Sequence, residues 1–285
     1  MKLLRFKHHG QRHTGILTTA GVLPIEEINA KLGIRVPNDL LTIIQTAAQQ
    51  QIQGSLEGIA ALPYEDLTPI LPYDVPPKIW CIGLNYKSHA EDIDAVQPEE
   101  PGSFMKPASC MFQPGGDIIL PPPFVSDDVD AEGELGVVIG KTCRFLKPEE
   151  VADAIFGYTT TLDLTALDVL RKNTRYLTRS KSIDTFFSFG PVVVTKDEID
   201  DVDSLEVITE HSSAKDGICS RDFVRNMRHR PFELVRFHSD FMTLYPGDLI
   251  STGCPKGARI KPGDSVAARI DGVGRITATV RAHGA

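Results

Sequence analysis

Two glutamates one residue apart sit inside an otherwise apolar run, Val129-Asp130-Ala131-Glu132-Gly133-Glu134-Leu135-Gly136-Val137-Val138-Ile139-Gly140-Lys141. The β-branched second half and its closing glycine predict a buried strand over Glu134 to Ile139. On a strand, residues two apart share a face and stand roughly 6–7 Å apart. Two carboxylates are therefore forced together beside a core, where they repel each other and lose hydration. That arrangement is tolerable on a solvated strand face, or where a cation joins the pair. Oxygen-only ligation favours a hard ion, Mg²⁺, Mn²⁺ or Ca²⁺, over zinc.

Around this run the chain reads as α+β, mostly β. Short apolar segments punctuated by Gly and Pro predict strands at Ile79 to Gly83, Ile118 to Leu120, Pro191 to Val194, Leu249 to Thr252, Ser265 to Ile270 and Gly274 to Arg281. A few helices intervene, notably at Lys147 to Ile155, at Arg230 to Met242 and, in the N-terminal region, at Asp39 to Gln53, with Asn38 or Asp39 as its cap. Residues 1–70 read as a small N-terminal domain whose short strands (Lys2 to Phe6, Gly15 to Leu17, Gly21 to Pro24) precede that helix. The proline-rich stretch Pro63 to Pro77 reads as an extended connector to a larger domain over 71–285.

Charge and cysteine usage narrow the partners. A formal net charge of -8 argues against nucleic acid or an anionic membrane as a partner, and no apolar run approaches membrane-spanning length. The N-terminus lacks an apolar segment long enough for a signal peptide. Five dispersed cysteines without a CxxC pair are expected to be reduced thiols in the cytoplasm.

Three further segments carry candidate chemistry. In Phe156-Gly157-Tyr158-Thr159-Thr160-Thr161-Leu162-Asp163-Leu164-Thr165-Ala166-Leu167-Asp168, the alternation from Tyr158 to Leu164 suits a strand. Asp163 is then a third carboxylate near the glutamate pair, unless it or Thr165 merely caps the helix that follows. In Cys81-Ile82-Gly83-Leu84-Asn85-Tyr86-Lys87-Ser88-His89-Ala90-Glu91-Asp92, a helix beginning at Ser88 sets His89 and Asp92 one turn apart. The carboxylate would then orient the imidazole; the alternative is a surface histidine beside acids. Lys106 and Lys181 each stand next to a turn, either as solvated surface residues or as holders of a substrate carboxylate or enolate.

Taken in order, these motifs resemble the fumarylacetoacetate hydrolase family from about Lys78 to Arg281. They are Gly83-Leu84-Asn85-Tyr86 with His89-Ala90, Phe104-Met105-Lys106-Pro107, Glu132-Gly133-Glu134-Leu135, Gly157-Tyr158-Thr159 with Asp163, Lys181-Ser182 with Asp184-Thr185, and Pro246 to Gly253. The resemblance implies a mixed β-sandwich roll with a small N-terminal α/β domain, usually in a homodimer. It also implies Mg²⁺ or Mn²⁺ held by Glu132, Glu134 and Asp163. The substrate is then a small 2-oxo or dioxo acid, and the reaction hydrolysis of a C–C bond in an acylpyruvate. In that scheme His89, oriented by Asp92 or Glu91, deprotonates a water, and Lys181 neutralises charge on the substrate. Lys106, Tyr158, Thr185 and Thr252 are the expected substrate contacts, and Tyr86 to Phe104 the expected lid. Other members of the family decarboxylate or tautomerise oxaloacetate, or hydrate or isomerise 2-oxo acids; a relative that has lost turnover is the non-enzymatic alternative.

Departures from the family pattern fall in the substrate pocket. The usual arginine and glutamine after the metal aspartate are here Leu167 and Leu170, which removes a bidentate carboxylate clamp and makes that wall apolar. Arg171, Arg175 and Arg179 are the nearby cations available in their place. Asp92 replaces a common glutamate, and Cys254 a common threonine, with a thiol that hydrogen-bonds poorly.

Overall fold

The computed structural model describes residues 1–284. In chain order the first strands are β1 (Lys2–His8), β2 (Gln11–Thr18), β3 (Gly21–Pro24), β4 (Thr68–Ile70), β5 (Ile79–Gly83), β6 (Gly102–Lys106), β7 (Asp117–Ile119) and β8 (Val129–Ile139). They continue with β9 (Ile155–Ala166), β10 (Phe187–Thr195), β11 (Glu206–His211), β12 (Ile218–Phe223), β13 (Leu249–Ser251), β14 (Ala258–Ile260), β15 (Ser265–Ile270) and β16 (Gly274–Arg281). The helices are α1 (Ile25–Leu32), α2 (Leu40–Thr46), α3 (Lys87–Asp92), α4 (Val151–Ala154), α5 (Leu167–Lys172), α6 (Leu177–Lys181) and α7 (Pro231–Phe241).

Two sheets organise the chain. The 11-stranded sheet runs β3-β2-β1-β10-β9-β8-β13-β5-β6, with β4 added on β1 and β14 on β8. The 5-stranded sheet runs β12-β11-β15-β16-β7. Strands β8 and β9 lie centrally in the larger sheet and are buried at every position, because both faces are covered. Ala131, Leu162 and Leu164 of the larger sheet pack with Val266, Ala268, Ile276 and Ala278 of the smaller one in a single apolar core. The glycine between the two glutamates belongs to this packing. A Cβ on Gly133 would lie 2.9 Å from Thr209 Oγ1 and 3.1 Å from the Ala268 Cβ, so only glycine lets the second sheet approach here. Because side chains alternate, the same pleat that turns Gly133 toward the second sheet turns Glu132 and Glu134 away from it.

Several elements differ from the sequence expectation. The helix expected over Asp39 to Gln53 is capped by Asp39, whose side chain accepts the Thr42 N–H at 2.8 Å, but it stops at Thr46. Ala47 takes a left-handed conformation (φ 53°), and a 3₁₀ turn over Ala48–Gln51 follows. The helix expected over Lys147 to Ile155 is a 3₁₀ turn at Pro148–Glu150 followed by the short α4, since Ile155 already belongs to β9. The connector is not wholly irregular. Its Thr68–Ile70 segment pairs with β1 (Arg5↔Ile70), an edge position where Pro69 needs no N–H. The first strands also continue the large sheet, with Leu3 opposite Val193. Among the described residues, no helix is long and apolar enough to cross a membrane.

Candidate metal centre and active site

Antiparallel pairing of β8 with β9 sets Glu132 directly opposite Asp163 and Glu134 opposite Thr161. Directly opposed residues share a face. The register therefore gathers Glu132, Glu134 and Asp163 into one buried cluster whose carboxylate oxygens lie within 4.8 Å of one another. Asp163 sits inside the strand and caps nothing: the residue before α5 is Ala166, and it makes no side-chain cap.

Each acid is tied to specific donors. Thr165 Oγ1 donates to Glu132 Oε1 at 2.5 Å, and Lys181 Nζ donates to Glu132 Oε2 at 2.9 Å and Asp163 Oδ2 at 3.0 Å. Ser251 Oγ and the Gly253 N–H (2.9 Å) both donate to Glu134 Oε2. Gly253 has φ 92°, and a Cβ there would meet the Asn85 Cβ at 2.9 Å, so this close backbone donor also requires glycine. Asn85 then bonds the Thr252 carbonyl (2.7 Å) and both the carbonyl and N–H of His229, which seats the turn leading into α3.

Charge is divided unevenly within the cluster. Burial pushes the Glu132 carboxyl up, but Lys181, His89 and the Thr165 hydroxyl outweigh it and hold the group well below the usual carboxylate range. Burial and the charges of Asp163 and Glu132 push Glu134 up to about 8. Burial opposes the charge on Lys181, yet the three surrounding acids raise it well above the ordinary lysine value. Three oxygen donors under this much mutual repulsion are a fitting seat for a hard divalent cation, which relieves the pressure on Glu134.

A cavity of about 460 Å³ opens over this cluster, bordered by Glu132, Glu134, Thr165, Lys181, His89 and Cys254. Its remaining walls are largely apolar, with Ile82, Leu84, Ile93, Phe104, Leu167, Leu170 and Leu177. Leu167 and Leu170 therefore form the apolar wall that their replacement of polar residues implied. Arg171 reaches the cavity but is engaged by Asp128 at 2.5 Å; Arg175 and Arg179 are exposed and do not line it. The segment expected as a lid supplies the roof through α3, Ile93, Asp94, Ala95 and Pro98.

His89 lies on α3, 8% exposed, with its Nδ1 buried and without a hydrogen-bond partner. Burial lowers its pKa, the Glu132 charge opposes that, and Lys181 adds to it, so the ring is neutral at neutral pH. Asp92 does not orient it as expected. That carboxylate pairs with Lys256 at 2.7 Å, and Glu91 pairs with Lys87 at 3.4 Å on the outer side of the helix. The reason is electrostatic: Lys256 offers Asp92 a full opposite charge, which a neutral imidazole does not.

Four expected substrate contacts stand elsewhere. Lys106 is fully buried behind Asp163, donating to its Oδ1 and, at 3.1 Å, to the Leu164 carbonyl; it supports an acid and does not line the cavity. Tyr158 is five residues from Asp163 along β9, hence on the opposite face, and borders a separate cavity with Ile155 and Phe232. The Thr185 hydroxyl accepts the Ile119 N–H (2.9 Å), fastening β7. Thr252 donates to the Leu135 carbonyl at 2.8 Å inside the sheet. Conversely, sequence reading overlooked Thr165 and Ser251 as supports of the acids. The two-residue spacing of Thr161, Asp163 and Thr165 was a usable signal for the first; the second carries no local signal, because β13 arrives from far along the chain.

Known proteins share this fold. The fumarylacetoacetate (FAA) hydrolase C-terminal family model matches residues 78–281. A mitochondrial oxaloacetate tautomerase of Bos taurus is 34% identical over 227 residues, covering 76% of this chain and 71% of its own. The fumarylacetoacetate hydrolase of psychrophilic Exiguobacterium antarcticum is 27% identical with a TM-score of 0.83, covering 99% of this chain and 100% of its own. Maleylpyruvate hydrolase from Sphingobium sp. SYK-6, solved with manganese(II) and pyruvate, is 27% identical with a TM-score of 0.79 and covers 99% of both chains. The family-model match over residues 78–281, together with the 34% identical relative, places this chain in the fumarylacetoacetate hydrolase family, whose members are enzymes.

Proposed function

We propose that the protein is a divalent-metal-dependent hydrolase that cleaves the C–C bond of an acylpyruvate or a related 2,4-dioxo acid. The observation that carries this reading is the largely apolar cavity of about 460 Å³ that reaches Glu132 and Glu134 of the buried three-acid cluster. A 2-oxo acid head fits the polar floor, and an apolar acyl tail fits against Leu167, Leu170 and Leu177. Glu132, Glu134 and Asp163 would hold Mg²⁺ or Mn²⁺, with Ca²⁺ a weaker fit to the same donors. Such a cation supplies Lewis-acid polarisation of the 2-oxo acid. The chain's own residues do the rest. Lys181 places an ammonium beside Glu132 and Asp163, where it neutralises charge gathering on the substrate oxygens. Neutral His89 accepts a proton from water as the hydroxyl adds to the distal acyl carbonyl. The C–C bond then breaks, its electron pair leaves as the pyruvate enolate, and His89 returns the proton to the enolate carbon. The homodimer implied by the family belongs to the same reading and is checked by light scattering.

A second reading, tautomerisation of oxaloacetate, is favoured by two observations. One is the 34% identity to a protein described as an oxaloacetate tautomerase. The other is that His89 has no carboxylate partner, a state that suits shuttling one proton between carbon and oxygen. The deciding assay follows enol absorbance for a series of acylpyruvates with lengthening apolar tails, alongside oxaloacetate, with Mg²⁺ and then Mn²⁺. Cleavage that improves with tail length supports hydrolysis. Turnover of oxaloacetate with every acylpyruvate left intact discards it for the second reading.

A further inference from the structure

The edge of the cavity beyond the acid cluster holds a second ligand set of different chemistry. His89, Glu132 and Cys254 each present a ligand atom, all within 4.8 Å of one another, and all three border the cavity. They are 8%, 3% and 1% exposed. The set is nitrogen, oxygen and sulfur, whereas the acid cluster offers oxygen alone. An independent feature points to a missing partner: His89 Nδ1 is buried and unbonded, and the carboxylate one turn away is held by Lys256 instead.

We propose that His89, Cys254 and Glu132 form a binding site for a thiophilic divalent ion, Zn²⁺ in preference to Mg²⁺. Imidazole and thiolate are ligands that zinc accepts and magnesium does not, and three protein ligands with an open fourth position is a recurrent zinc arrangement. A tetrahedral ion with ligand bonds of about 2.0–2.3 Å sets its ligand atoms roughly 3.3–3.8 Å apart. The three ligand atoms lie within 4.8 Å of one another, so side-chain adjustment brings them to that spacing. Binding breaks the Cys254 S–H bond, releases that proton to solvent and forms a Zn–S bond, while the imidazole binds through its unprotonated nitrogen. Glu132 is common to both sets, so an ion here also draws on a ligand of the oxygen cluster.

Direct binding tests this without reference to any substrate. Metal-stripped protein saturated with Mg²⁺ is titrated with Zn²⁺ against a chromophoric chelator, and in parallel with Co²⁺, whose spectrum reports its ligands. The expected result is one tight Zn²⁺ site per chain and a thiolate-to-cobalt charge-transfer band. Cys254→Ser is expected to abolish the band and weaken Zn²⁺ binding by at least about tenfold while Mg²⁺ still binds; His89→Ala is expected to weaken Zn²⁺ similarly. A Co²⁺ spectrum of the unmodified chain without thiolate character overturns the proposal, even if the variants fail to fold. Zn²⁺ affinity unchanged in a folded Cys254→Ser protein overturns it as well.

Discussion

On the floor of the cavity, oxygens of Glu132, Glu134 and Asp163 are met by donors from Thr165, Lys181, Ser251, Gly253 and Lys106. In the roof, His89 keeps a buried nitrogen unbonded, and its nearest helical acid is turned to Lys256. The floor is carried by paired central strands, the roof by the six-residue α3. Charges that must stand together despite repulsion need a rigid register and many donors. In the roof no such set of donors and acceptors fixes His89, whose buried Nδ1 has no hydrogen-bond partner among the described residues.

That contrast is most severely tested on the floor. Glu132→Ala removes a member of both ligand clusters, and turnover is expected to fall by a factor of about 10³ or more, with Mg²⁺ or Mn²⁺ binding lost by calorimetry. Full activity of this variant in metal-stripped buffer defeats the metal-centre reading. Lys106→Met leaves Asp163 buried with one cation fewer. The expected cost is about 3–5 kcal/mol of stability, read from urea unfolding of the metal-free protein. If Lys106 instead held substrate, the variant would raise KM and leave stability unchanged.

Substitutions in the walls and roof sharpen the contrast at smaller amplitude. Leu167→Arg restores a cation to the apolar wall and is expected to shift kcat/KM toward a dicarboxylic substrate, relative to an apolar acylpyruvate, by about tenfold or more. The pH profile reports on His89. Burial lowers its pKa below the ordinary 6.5, so the base form is complete above that value and is lost as pH falls through the lowered one. With Mg²⁺ saturating at every pH, so that Glu134 is held by the ion, the acid limb of kcat/KM is thus expected below pH 6.5; a limb above it then removes His89 as a neutral base. The smallest effect belongs to Asp92→Asn. It breaks only a partly exposed pair with Lys256, an interaction of about 0–1 kcal/mol, and is expected to change kcat by less than about tenfold. A larger loss with an altered pH profile would return Asp92 to its expected role beside His89.

Legibility from sequence followed how local each cause was. The strand under Glu132 and Glu134 was readable because alternation and β-branching are local properties, and the cap at Asp39 because it needs only the Thr42 N–H three residues on. Asp163 was readable as a third acid through the same period of two. The family motifs identified Lys106 and Lys181 as residues of the site, but not which way they point. Lys106 ends the edge strand β6, which is not a neighbour of β9 in the sheet, yet its Nζ reaches Asp163 and the Leu164 carbonyl; that approach is set by tertiary packing and leaves no local signal. Thr252 was misplaced for a similar reason, since it spends its hydroxyl on a neighbouring strand; Tyr158 was not, because its odd separation from Asp163 on one strand already put it on the other face.

The amino-acid order alone determined a mostly β chain and a pair of carboxylates on one strand face. Those follow from side-chain alternation and residue chemistry, which act over a few positions; the leucines at 167 and 170 gained meaning only from the family pattern the chain resembles. Tertiary structure decided which oxygens meet, because the β8–β9 register opposes Glu132 to Asp163 across 31 positions of chain. It also decided that His89 stands beside Cys254 and apart from an orienting acid. Contacts between distant segments depend on strand order and register, which are settled only when the whole core packs.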